Sequence, residues 1–182
     1  MSRVMLLLVA LVWGLLAYET HAGVLVIGDS MSAQATSWPT YLRENTRQNV
    51  QVMAQNGRTI RDFTLPNDLH ADNNITTAVY LLGGNDAFQA TPDHVLAERV
   101  LTQLRFLKDR GFKVVVVKVP EFTMSVRQVR RVNNIILRKA RGLKLKVVDL
   151  APVWDTDLTS DTVHPLPALS RAIAEHIAWS IK

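Results

Sequence analysis

The chain contains no cysteine among its 182 residues. Disulfide bonds, thiolate metal ligands, a cysteine nucleophile and the acylated cysteine of a lipoprotein are therefore excluded. No internal repeat and no low-complexity tract divides the chain. Because 48% of the residues are hydrophobic, a chain of this length can bury the core of one domain.

Several catalytic and binding motifs are also missing. There is no G-x-S-x-G nucleophile elbow, which disfavours an α/β-hydrolase. There is no G-x-x-x-x-G-K-S/T phosphate loop and no H-E-x-x-H zinc motif. Asp155, Asp157 and Asp161 have part of the spacing of a calcium loop, but its glycine and its closing glutamate are absent. The sequence therefore predicts no metal and no cofactor.

Residues 1–22 have the pattern of an export signal. Arg3 gives a weakly basic start, residues 4–17 are almost wholly apolar, and a short polar stretch ends at Ala22. We expect cleavage after Ala22, which leaves a mature domain of residues 23–182 that is periplasmic or secreted. An uncleaved anchor is the alternative, although the apolar run is short for a membrane-spanning helix.

Positive charge is concentrated in one stretch of a chain whose formal net charge is +5. Two interpretations remain open. The stretch is either a solvated helix face or a surface that attracts an anionic component of the cell envelope by long-range steering. It has no interleaved aromatic residues, which together with export argues against nucleic-acid binding. Its basic residues are Arg127, Arg130, Arg131, Arg138, Lys139, Arg141, Lys144 and Lys146.

Strand-like apolar runs alternate with helix-like segments along residues 23–182. Strands are predicted at 23–27, 50–54, 75–82, 113–119 and 145–150, and most are continuous apolar runs, as in a parallel sheet covered on both faces. Helices are predicted at 38–46, from Thr91 as N-cap with Pro92 at the first helical position to a stop at Gly111, at 124–140 with a stop at Gly142, and at 165–181. This alternation predicts a three-layer α/β/α sandwich.

Three motifs carry candidate chemistry. The run G-D-S-M-S at 28–32 follows the first strand, which places Ser30 at the rim of the sheet, where open α/β folds bind ligands. The run G-G-N-D at 83–86 follows the third strand, and D-T-V-H-P at 161–165 precedes the last helix. A serine nucleophile needs a base within hydrogen-bond reach and a third group that orients the base. Ser30, His164 and Asp161 supply these groups, and the three-residue spacing lets the Asp161 carboxylate reach the imidazole Nδ1–H.

These motifs, in this order, resemble those of the SGNH (GDSL-type) hydrolase family over nearly all of residues 23–182. The resemblance implies a flavodoxin-like fold with a five-stranded parallel sheet. It implies Ser30 as nucleophile, His164 as base and Asp161 as orienting acid. It also implies an oxyanion hole made by the backbone N–H groups of Ser30 and Gly57 and the side-chain amide of Asn85. The stretch at 56–63 resembles the corresponding block of rhamnogalacturonan acetylesterase-type members, which favours a carbohydrate ester.

The predicted function is a secreted serine esterase that hydrolyses a carboxylic ester through an acyl-enzyme. Acetylated sugar polymers, lysophospholipids or other acyl lipids, and acyl thioesters all remain open as substrates. The alternatives are an acyltransferase and an SGNH domain that binds glycans without catalysis. We expect the irregular segments 56–74 and 151–164 to contact substrate, because loops on a rigid scaffold commonly do so.

Overall fold

The sheet begins at Gly23, the first residue of the part of the chain that the structure describes. This structure, a computed structural model, describes residues 23–72, 74–122 and 125–182, so the predicted export signal lies outside it. Five strands pair in parallel in the order β2-β1-β3-β4-β5. The central strands β1 and β3 are almost wholly buried, as their continuous apolar runs predict. The strands are β1 Gly23–Gly28, β2 Val50–Ala54, β3 Ile75–Leu81, β4 Lys113–Val117 and β5 Lys146–Val148.

Helices cover both faces of this sheet. On one face α2 packs against α6, and on the other α4 packs against α5, which also contacts α3. Each long helix buries an apolar stripe at helical spacing, such as Leu96, Val100, Leu104 and Leu107 in α4. No helix of the described ranges is both long and apolar enough to cross a membrane. The helices are α1 Ser30–Ala33, α2 Trp38–Thr46, α3 Gly84–Phe88, α4 Asp93–Asp109, α5 Val126–Gly142 and α6 Pro167–Ile181, with a 3₁₀ turn at Thr156–Leu158.

The predicted three-layer sandwich is confirmed, and its strand order is that of a flavodoxin-like sheet. After β1 the chain forms β2 on one side of it and then β3 on its other side. The crevice that opens at such a reversal, outside the carboxyl ends of the strands, is the general ligand site of open α/β sheets. Here that point lies between β1 and β3.

The structure corrects two predicted helix starts. Thr91 is not an N-cap with proline at the next helical position: its hydroxyl donates to Asp86, and the helix starts at Asp93 after an extended Pro92. Likewise the last helix does not start at Pro165. Pro165 forms an antiparallel bridge with Thr159, so the chain stays extended there and the helix starts at Pro167.

Two predicted ends also differ from the structure. Gly142 is the last residue of α5 and does not itself adopt the left-handed conformation, which falls to Lys144 after the helix, with φ 56°. The fourth strand ends at Val117 and not at 119. Beyond it the Asn133 side chain accepts from the N–H of Val119 and donates to its carbonyl, which replaces the strand pairing. The predicted stop at Gly111 is confirmed by its φ of +87° and the bond from its N–H to the carbonyl of Lys108.

Candidate active site

Register in the sheet brings three loops to one edge. Gly28, the last residue of β1, pairs with Ala54 of β2 and with Leu81 of β3. Parallel strands all end at the same edge, so the residues that follow these three lie side by side. Ser30, Gly57 and Asn85 are among those residues. The pairing of the central strand therefore gathers the G-D-S-M-S run, the loop after β2 and the G-G-N-D run.

Ser30, His164 and Asp161 form a continuous chain of hydrogen bonds. The Oγ of Ser30, the first residue of α1, lies 2.8 Å from Nε2 of His164. Nδ1 of the same ring lies 2.6 Å from Oδ2 of Asp161. Both separations are within the reach of proton transfer between a nucleophile and a base. The structure thus brings together the three side chains that the sequence singled out.

The loop before α6 holds the imidazole by local bonds. Asp161 Oδ1 accepts from the backbone N–H groups of Val163 and His164, at 3.1 and 2.8 Å. The carbonyl of His164 accepts from the N–H of Ser160. Partial burial alone raises the pKa of Asp161, but the hydrogen bonds from His164 and Val163 outweigh it and hold this pKa below its usual value. The carboxylate therefore stays charged beside the ring.

Thr162 stores strain in the same loop. Its φ is +70°, a left-handed conformation that is costly for a β-branched residue. The turn between Asp161 and His164 thus departs from relaxed backbone geometry where the two side chains must meet. Strained residues of this kind persist where the surrounding structure over-determines them, and they cluster at functional sites.

Asp29, in the G-D-S-M-S run, caps the helix that begins with Ser30: its Oδ1 accepts from the N–H of Met31 at the start of α1. The residue is also only 4% exposed. Burial raises its pKa from 3.8 to about 6; the charge of Asp86 adds to this effect, while the bond from Met31 and the charge of His164 oppose it. No local sequence pattern signals this burial.

Asn85 and Gly57 are neighbours at the sheet edge. The side-chain amide of Asn85 donates one hydrogen to the carbonyl of Arg58, at 3.0 Å, and an amide nitrogen carries a second. Gly57 has φ +74°, and no atom lies within 4 Å of the position that a Cβ would take. The space beside Gly57 is therefore open to a ligand.

A cavity of about 280 Å³ with a mixed polar and apolar lining opens at Gly57. One wall is the Arg58 guanidinium, which donates to the carbonyl of Met53 and lies 4.1 Å from the centre of the Phe63 ring. The hydroxyl of Thr59 donates to the carboxylate of Asp62 in another wall. The lining residues are Gln55, Asn56, Gly57, Arg58, Thr59, Asp62 and Phe63. The expected contact loop thus forms a pocket rich in hydrogen-bonding groups.

Comparison with known proteins gives one family and one fold. A model of the GDSL-like lipase/acylhydrolase family matches residues 26–172. No curated protein sequence matches the chain. A G-D-S-L family protein from Desulfitobacterium hafniense DCB-2 has 16% identity and a TM-score of 0.74, over 87% of this chain and 98% of its own.

Two esterase structures are also similar to this chain. An acetyl xylan esterase has 18% identity and a TM-score of 0.72, over 87% of this chain and 98% of its own. A psychrotrophic esterase from Pseudoalteromonas sp. has 15% identity and a TM-score of 0.68, over 87% and 96%. At such low identity these likenesses show that the fold is shared.

The buried carboxyl of Asp29 predicts a pH-dependent penalty. Between about pH 4 and pH 6 the folded chain keeps a proton that the unfolded chain releases, so the free energy of unfolding falls as the pH rises through this window. The full penalty is on the order of 3 kcal/mol. Asp29→Asn keeps the oxygen that caps Met31 and removes the charge. We expect it to raise the free energy of unfolding by about 1–3 kcal/mol at pH 8 and to change it little at pH 4.

Urea unfolding of both proteins at the two pH values measures this difference. Asp155→Asn is the matched control, because the exposed Asp155 makes the same cap bond, to the N–H of Asp157. Equal effects of Asp29→Asn at pH 4 and pH 8 would show that its carboxyl is not held in the protonated form by burial.

Proposed function

Because this chain belongs to the GDSL-like lipase/acylhydrolase family, we propose that it is a serine esterase that cleaves carboxylic esters through an acyl-enzyme. The observation that carries the proposal is the hydrogen-bonded chain from Ser30 through His164 to Asp161. These three hydrogen-bonded side chains supply a nucleophile, a base and an orienting carboxylate in contact with one another.

In the proposed reaction His164 Nε2 takes the proton of Ser30 as Oγ attacks the ester carbonyl. Asp161 stabilises the imidazolium that forms. The carbonyl oxygen becomes an oxyanion, which accepts hydrogen bonds from the N–H groups of Ser30 and Gly57 and from the second amide hydrogen of Asn85. His164 then gives its proton to the departing alcohol. A water molecule, activated by the same imidazole, attacks the acyl-enzyme and releases the acid and the free serine.

Ser30→Ala tests the nucleophile. We expect it to lower kcat for p-nitrophenyl acetate by at least about a thousandfold, because the triad acts as a unit. The thermal midpoint should hardly change, since Ser30 lies at the rim of the sheet and not in the core. The related Pseudoalteromonas esterase is inhibited by monoethylphosphonate. A phosphonate ester should therefore add one covalent group to the wild type, seen by intact mass, and none to Ser30→Ala.

The control is Ser180→Ala, in which a helical serine bonded to the carbonyl of His176 is lost. It should keep wild-type hydrolysis and labelling. Hydrolysis by Ser30→Ala within tenfold of wild type would remove Ser30 from the mechanism.

For the substrate we propose a carbohydrate ester of a small acyl group. The support is the cavity beside Gly57, whose walls carry amide, hydroxyl, guanidinium and carboxylate groups. A long acyl chain placed there would strip water from these groups without replacing their hydrogen bonds, which is costly. Sugar hydroxyls would replace them. The likeness of residues 56–63 to the acetylesterase-type block points the same way.

Filling this cavity with apolar side chains tests the substrate class. In the double variant Gln55→Leu plus Asn56→Leu, we expect KM for an acetylated oligosaccharide to rise about three- to tenfold through lost hydrogen bonds, with p-nitrophenyl acetate hydrolysed as before. Asn67→Leu is the control, because Asn67 lies in the same loop but lines a different groove. A wild-type preference for octanoate over acetate esters would instead favour a lipid substrate.

We also propose that the chain is exported and cleaved after Ala22. In support, Gly23 is buried as the first residue of β1, with its N–H bonded to the carbonyl of Asn74 at 2.6 Å. Cleavage after Ala22 would leave the whole of β1, Gly23–Gly28, in the mature chain. The mass of protein recovered from the periplasm or the medium should correspond to a chain that begins at Gly23. A full-length product in the membrane fraction would point to the uncleaved anchor.

The basic stretch on α5 is better explained as a solvated helix face than as a surface for an anionic partner. Arg130 pairs with Glu121, and Arg131 pairs with Asp93 and donates to the carbonyl of Thr91. These partners already neutralise part of the positive charge within the domain. Steering by the remaining exposed cations would be screened over about 8 Å at physiological ionic strength.

A further inference from the structure

Asp86 is a buried carboxylate that the proposed reaction does not use. It lies on α3 directly after Asn85, and none of its surface is exposed. Its Oδ2 accepts from the backbone N–H of Ile60 at 2.7 Å. Its Oδ1 accepts from the N–H of Arg61 at 3.3 Å and from the hydroxyl of Thr91 at 2.9 Å. Such burial is costly for a carboxylate unless its oxygens are hydrogen-bonded, and here three donors serve them.

Two of these donors belong to the loop that carries Gly57. Asn85 bonds to the same loop through the carbonyl of Arg58. Two consecutive side chains of α3 therefore hold the loop. Asn85 binds the carbonyl of residue 58, and Asp86 binds the N–H groups of residues 60 and 61. These bonds link the loop that carries Gly57 directly to the helix that carries Asn85.

A second buried group fixes the far side of the loop. The Gln103 amide donates to the carbonyls of Ile60 and Phe63, at 3.0 and 2.7 Å, and its oxygen accepts from the hydroxyl of Tyr80. The loop is thus held from α3 and from α4. Asp86 is the member of this network that is covalently next to a proposed oxyanion donor.

We propose that Asp86 is a positioning residue that sets the geometry of the oxyanion hole by tying the Gly57 loop to the helix of Asn85. This inference rests on the proposed esterase function. Donors stabilise an oxyanion most when they are already aimed at it before reaction, because no reorganisation is then needed at the transition state. A loop released from Asp86 can still bind substrate. Such a loop no longer holds the N–H of Gly57 at a fixed distance from the amide of Asn85. The substitution should therefore reduce stabilisation of the transition state more than binding of the substrate.

Two substitutions separate this role from a general loss of folding. Asp86→Ala removes all three acceptor bonds. Asp86→Asn keeps an oxygen for the N–H of Ile60 but turns its NH₂ group toward the N–H of Arg61, which loses its acceptor. We expect kcat for p-nitrophenyl acetate, per phosphonate-titrated site, to fall about 30- to 100-fold in the alanine variant and about three- to tenfold in the asparagine variant. KM should stay within about threefold in both.

Affinity for a boronic acid is the readout that a merely structural role would not move. A boronic acid forms a tetrahedral adduct with a serine, and one oxygen of the adduct occupies the place of the oxyanion. Its inhibition constant should rise in each variant by about the same factor as kcat falls. Asp93→Ala is the matched control, because it removes an exposed aspartate of α4 that pairs with Arg131 of α5. It should leave kcat and boronate affinity within twofold of wild type.

The outcomes distinguish this inference from the proposed function. A wild-type protein that neither hydrolyses esters nor is labelled by phosphonate at Ser30 overturns both. An active wild type, with either Asp86 variant folded by circular dichroism and keeping kcat and boronate affinity within twofold, overturns the role of Asp86 alone. If Asp86→Ala does not fold, the measurement on Asp86→Asn decides.

Discussion

The parallel pairing of β1 with both of its neighbours is the constraint on which the rest of the site depends. Because Gly28 is level with Ala54 and Leu81, three loops leave the sheet at the same height. A one-residue slip in either pairing would shift one of these loops along the sheet by about 3.3 Å relative to the other two. The register of the pairing thus sets the distances at the site. The loops need only short local bonds to complete them.

This arrangement places two carboxylates close together in a part of the molecule that excludes water. Asp29 holds the first turn of the helix that begins with Ser30, and Asp86 holds the loop that carries Gly57. Burial is the main reason why the pKa of Asp29 rises, and the charge of Asp86 adds to the effect. Apolar residues at the two positions would leave the N–H groups of Met31, Ile60 and Arg61 without their acceptors, which is costly. The two carboxyl groups therefore fix the local geometry of the site through the hydrogen bonds that they accept.

The layers and the central motifs were predictable because they follow from local patterns. Continuous apolar runs predict buried parallel strands, and Ser30, Asn85 and His164 each stand in a short motif beside a strand or a helix. The misplaced helix starts have a tertiary cause. Thr91 has the pattern of an N-cap, but the carboxylate of Asp86 takes its hydroxyl, and Pro165 is held extended by the bridge to Thr159. The burial of Asp29 and Asp86 was not visible either, because it depends on which loops the sheet register brings together.

The two halves of the proposed catalytic apparatus are held by different physics. The half that would bind the oxyanion is fixed by hydrogen bonds, most of them buried, that join α3 and α4 to the loop after β2. Apart from the bond between His164 and Ser30, the hydrogen bonds that hold the half with the base lie within its own loop, at Asp161 and the backbone near Ser160, and the side chain of Asp161 is 53% exposed. Exposed hydrogen bonds contribute less to stability than buried ones and open more readily. Motion in the site should therefore be concentrated on the side of His164, where the strained Thr162 already departs from relaxed geometry. The proposed oxyanion donors, which must be preorganised, lie on the opposite side, which is packed against the core.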